Sequence, residues 1–110
     1  MTIGSPADEL LFEVSTPLSF TVRVSRACWE VIVTIKHPVM AGCEAMVRDV
    51  LARPEEVRVS RSDDAVYLFY GEKREQRWVC AVAKRLNDEG FLITAYPTDA
   101  VKEGVRVWPT

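Results

Sequence analysis

The sequence holds a single histidine, His37, and three cysteines, Cys28, Cys43 and Cys80, which are far apart and form no C-x-x-C pair. One imidazole excludes a histidine-rich metal site, and cysteines so spaced argue against both a disulfide framework and a thiolate zinc site. A carboxylate-held cation has little to use, because Asp63-Asp64 and Asp88-Glu89 fall in stretches of turn composition. Any chemistry is therefore expected to need neither metal nor cofactor. Apolar runs such as "VIV" and "FLI" are far shorter than the roughly 20 residues of a bilayer crossing. The opening "MTIGSPADELLFEV" lacks the basic and long apolar parts of a secretory leader. The expectation is a cytoplasmic protein without a membrane partner.

What is present is ordinary for one folded domain. The chain has 110 residues, 48% hydrophobic and 27% charged. A chain of this size buries roughly two-thirds of its extended surface around one core. A net charge of -2 offers no global attraction to nucleic acid. Residues 36–85, however, hold ten Lys/Arg against eight Asp/Glu, whereas the flanks hold four against eight. The middle is mildly basic, as a solvated face would also be.

"LLFEVS" and "LSFTVRVS" read as two strands, the second alternating Phe20, Val22 and Val24 with polar residues, and "TP" supplies the turn of an N-terminal hairpin. In "RACWEVIVTIKHP" the Val/Ile content favours strand, while Trp29, Ile32, Val33 and Lys36 recur at helical spacing behind Ser25 as an N-cap. Pro38 ends the element in either case. Met46, Val47, Val50 and Leu51 form one apolar stripe of a second helix that Pro54 stops. "EVRVS", "VYLFY", "RWVCAVAK" and "FLITAY" come next as strands separated by "RSDDA", "GEKREQ" and "NDEG", and "VRVWP" is a short edge strand. The order predicts an α+β fold with helices on one face of an antiparallel sheet.

The ordered motifs "WEVIVTIKHPVM", "PEEVRVSRSDDAVYLFY", "AVAK", "GFLITAYPTDAVKEG" and the closing "VWP" resemble the small phage and bacterial families of the barnase–EndoU–colicin–RelE type. The resemblance covers about residues 18–110. It implies one or two helices ahead of a curved antiparallel sheet of about four strands, and tips residues 25–36 toward helix, with the second helix over 42–53. On that plan residues 26–110 are a RelE-like core, 10–25 an added hairpin and 1–9 a loose N-terminal arm. It further implies a metal-independent ribonuclease acting on RNA and, as for several members, a toxin with a cognate antitoxin. The alternative is a non-catalytic module that binds protein or RNA on the same scaffold, toward which the sequence pI of about 5.4 and the lone histidine lean.

Metal-free RNA cleavage requires a proton acceptor for the 2′-hydroxyl, a cation for the phosphorus centre and a proton donor for the leaving oxygen. His37 suits proton transfer because histidine titrates near neutrality. Lys84 and Arg61 supply charge, Thr94 and Tyr96 supply hydroxyls, Tyr70, Tyr67 or Trp78 could stack on a base, and Lys102 adds a surface cation. The catalytic set is thus His37, Lys84, Thr94 and Tyr96, with Arg61, Tyr70 and Lys102 on the substrate. Period-2 alternation puts Thr94 and Tyr96 on one face of their strand together with Leu92 and Thr98. Lys84 joins them if an odd loop "NDE" pairs it with Leu92, and faces the core if "NDEG" pairs it with Ile93; the cost of burying a lysine favours the first.

Plainer roles compete at every position. A histidine before proline often only bonds the backbone, Lys36 suits the helix-end dipole, and Thr and Tyr are good strand residues. Ser60-Arg61 equally suits the organising of a turn, and Trp29 and Trp78 read as core anchors. "TDAVKEG" reads as a helical turn capped by Thr98 or Asp99 and closed by Gly104.

Overall fold

The computed structural model describes residues 9–101 and 103–109. The expected N-terminal arm falls largely outside them. Strands β1 (Leu10–Ser15) and β2 (Thr21–Ser25) form the hairpin, with Thr16 Oγ1 donating to the Phe20 carbonyl inside the turn. At Ser25 the chain passes directly into helix α1 (Arg26–Val31), where the Cys28 amide donates to Ser25 Oγ at 3.1 Å, the cap that the sequence offers. A π-helical turn (Ile32–Lys36) and a 3₁₀ turn (Pro38–Met40) continue the segment, and helix α2 (Glu44–Ala52) comes after them. Trp29 and Ile32 are buried, as the helical spacing requires, so period prevails over β propensity in this stretch.

Strands β3 (Glu56–Val59), β4 (Val66–Arg74), β5 (Arg77–Leu86), β6 (Glu89–Thr98) and β7 (Val105–Trp108) complete one sheet in the order β1-β2-β6-β5-β4-β3-β7. The expectation of about four strands is corrected to seven, in a mixed sheet. β3 to β6 are the antiparallel meander, β7 adds an edge beside β3, and the hairpin joins the other side through β2, which runs parallel to β6. The turns are tighter than "GEKREQ" and "NDEG" suggest. Only Glu75-Gln76 and Asn87-Asp88 lie outside the ladders, with Gln76 and Asn87 at positive φ.

One face of the sheet carries the main core. Val22, Val24, Val57, Phe69, Val79 and Leu92 meet Trp29, Ile32, Met40, Val47, Val50 and Leu51 from the helical layer. Burying such side chains contributes about 1.5–3 kcal/mol each. The other face holds a smaller cluster of Leu68, Tyr70, Cys80 and Val82, against which Trp78, Ile93, Tyr96 and Val101 pack. Residues 98–104 do not form the expected helical turn among those described. Thr98 is still in strand, opposite Trp78, and its hydroxyl donates to the Ala100 carbonyl instead of capping a helix. No helix among the described residues is long and apolar enough to cross a membrane.

Candidate functional site

β2 accompanies β6 only from Glu89 to Phe91, because the chain leaves the sheet at Ser25 to enter α1. Beyond Phe91 the β6 edge is lined by the helical segment instead of a strand. Cys28 Sγ donates to the Leu92 carbonyl at 3.1 Å, Lys36 Nζ donates to the Ile93 carbonyl at 3.2 Å, and the His37 ring lies against Tyr96 with centroids 5.4 Å apart. The π turn delivers the last two. The His37 amide closes it on the Ile32 carbonyl, five residues back, at 2.6 Å. An extra residue in a helical turn re-aims the side chains after it, and such turns recur where side chains must be placed for function.

Tyr96 belongs to a row across the face remote from the helices, paired with Cys80, which is paired with Tyr70. Both tyrosines interact with the Cys80 thiol. Burial first, then that thiol, raises both phenols above their ordinary range, and burial pushes Cys80 up to about 11. All three stay neutral at physiological pH, so Tyr96 offers a hydrogen bond but no phenolate base.

The register of Lys84 differs from both alternatives. Lys84 pairs with Phe91, and Ile93 is an extra residue in β6 between the pairs Ala83–Leu92 and Val82–Thr94. That bulge restores Thr94 and Tyr96 to the face away from the helices, while Leu92 turns into the main core. Leu92 therefore does not share their face. Lys84 stands four residues along β5 from Cys80, about 13 Å at the rise of a strand, with Nζ 3.4 Å from Asp63 Oδ2. The Ala65 amide, followed by Lys84, holds Asp63 below the ordinary carboxylate range. Lys84 thus pairs with Asp63, and the cation next to His37 at the β6 edge is Lys36.

The remaining expected residues separate. Arg61 lines a hollow of about 370 Å³ with Ser60, Ser62, Leu68, Glu103 and Gly104, near the Lys84 end. Tyr70 is 2% exposed and has no ring face to offer a base. Tyr67 packs on Phe20, centroids 5.4 Å apart, on the helix side. Thr94 Oγ1 is enclosed, without a hydrogen-bond partner among the described residues, and does not open to a ligand. Lys102 lies outside the described residues. The residue that sequence reasoning sets aside is Lys36; its only signal is its place next to His37 at the end of a helix. No family model, curated protein or solved structure matches the chain.

Proposed function

We propose that the protein is a metal-independent ribonuclease of RelE-like kind, with its reacting centre at the β6 edge. The observation that carries this reading is the delivery of Lys36 and His37, by one π turn, to the same stretch of strand edge beside Tyr96. The helices ahead of the antiparallel β3–β6 meander support the family reading of the core, to which the N-terminal hairpin is an addition. In this reading His37 takes the 2′-hydroxyl proton as the 2′-oxygen attacks phosphorus. The same imidazole returns that proton to the departing 5′-oxygen, leaving a 2′,3′-cyclic phosphate and a 5′-hydroxyl. Lys36 is exposed and gives one of its three N–H bonds to Ile93, so two remain for the phosphorane oxygens. Lys84 and Arg61, further along the open face, hold the strand at neighbouring phosphates, with a salt-dependent contribution to binding.

The test is incubation with single-stranded and ribosome-bound RNA in EDTA, with the new ends identified. Cyclic phosphate ends are expected, with His37→Gln and Lys36→Ala each slowing cleavage at least about a hundredfold. Lys84→Ala should weaken RNA binding and flatten its salt dependence. RNA left uncut by the intact protein, or cut at the wild-type rate by the Lys36→Ala, His37→Gln double variant, overturns the assignment. Binding without cutting selects the non-catalytic module.

A further inference from the structure

A second site lies outside this centre. A groove of about 630 Å³ runs between the 3₁₀ turn and α2 on one side and the β4–β5 hairpin on the other, closed by residues 97–99 at the end of β6. Met40, Met46, Val79 and Pro97 give it an apolar floor, with Trp78 beside them. Its hairpin rim is basic. Lys73 is held by Asp49 at 3.1 Å, but the side chains of Arg74 and Arg77 are exposed and make no ion pair or hydrogen bond among the described residues. They are also direct cross-strand partners, so two guanidiniums face each other across a two-residue turn. Like charges so placed destabilise a hairpin.

Val39, one of its walls, is 69% exposed. Large apolar side chains left in water beside a mostly apolar groove mark an interaction surface. We propose that this groove docks an acidic amphipathic segment of a partner protein, its carboxylates on Arg74 and Arg77 and its apolar side chains over Val39 and the apolar floor. Charge complementarity fixes the occupant's sign: a pair of carboxylates converts a repulsive arginine pair into two ion pairs. Apolarity fixes its class, because an RNA strand would neutralise the arginines yet leave Val39 and the apolar floor uncovered.

The experiment uses the whole protein and a labelled helical peptide of leucine and glutamate with its leucines on one face. A peptide of the same composition with scrambled spacing and an oligouridine RNA serve as comparisons, read by fluorescence anisotropy. The patterned peptide is expected to bind more tightly than the scrambled one, and Val39→Asp to weaken it about tenfold. Arg74→Glu is the diagnostic variant. It replaces a repulsive cross-strand pair with an attractive one, so it should raise Tm while weakening the peptide about tenfold. Equal affinity for the two peptides, or unweakened binding by Arg74→Glu, overturns the proposal. Preferential binding of oligouridine, lost in Arg74→Glu, reassigns the groove to nucleic acid.

Discussion

Replacing Thr94 by valine is expected to stabilise the protein. Thr94 stands opposite Val82 in the β5–β6 ladder, and its hydroxyl is enclosed without a partner among the described residues. A desolvated hydroxyl that makes no hydrogen bond costs about 1–3 kcal/mol. Valine has nearly the same shape and is a better strand former, so Thr94→Val removes that cost and opens no cavity. The gain should be about 1–2 kcal/mol, with the lower end set by the methyl-for-hydroxyl repacking against Val82. At this chain length 1 kcal/mol moves Tm by about 4 °C or somewhat more, so a rise of about 4–8 °C is expected by calorimetry. In urea the midpoint should move up with the slope unchanged, since the surface exposed on unfolding is the same. Thr94→Ser keeps the orphaned hydroxyl and deletes a methyl, and should lose about 0.5–1.5 kcal/mol. A Thr94→Val protein no more stable than the wild type would refute the reasoning, for it would mean that the hydroxyl is satisfied.

Gly90→Ala would put a Cβ 2.6 Å from the Lys84 carbonyl and 3.0 Å from the Phe20 ring, and should cost about 2–3 kcal/mol in a circular dichroism melt. A loss below about 0.5 kcal/mol would mean that the β5–β6 turn yields easily. Asp49 is held below its ordinary pKa by Arg53 first and Lys73 second, so its contribution to stability is full above the unfolded value of about 3.9 and disappears as pH falls through the lowered folded value. Asp49→Asn should therefore flatten the acid limb of urea midpoints measured against pH; an unchanged limb would show that these ion pairs contribute nothing. Cys80, buried with its thiol pushed up to about 11, should be alkylated by iodoacetamide at neutral pH only after unfolding, while half-exposed Cys43 reacts in the native state. Peptide mapping that finds Cys80 labelled first would contradict the buried row.

The elements are legible wherever a period and a stop signal agree. The apolar stripe of Met46, Val47, Val50 and Leu51 ends before Pro54, and α2 lies there; Ser25 offers a hydroxyl at the right offset, and it caps α1. The short "VRVWP" does lie at an edge, beside β3. The hidden features are non-local or a matter of one residue. Nothing in "TVRVS" says that it will run parallel to a strand beginning more than sixty residues later, since alternation fixes which side chains face the core but not which neighbour is chosen. Nor can parity place Lys84, because it assumes an unbroken β6 ladder and a bulge reverses parity halfway along it. Thr98 departs from expectation for a related reason: its turn-forming composition loses to continued pairing with Trp78.

The candidate centre depends on two such irregularities meeting. A regular β6 would carry Thr94 and Tyr96 into the helix-side core, and a regular α-helical end would close one residue earlier and send His37 elsewhere. The extra residue in the strand is Ile93, and Ile93 is also the residue whose carbonyl receives Lys36. The bulge therefore turns Tyr96 toward the open face at the same step of the strand where the helical segment is anchored. Because β2 has already left the sheet at Ser25, no neighbouring strand competes for that carbonyl. The departure of β2, the bulge and the π turn act on four consecutive residues of β6, from Ile93 to Tyr96. Local regularity is given up there in both layers at once, where a lysine and the sole histidine come to the sheet edge together.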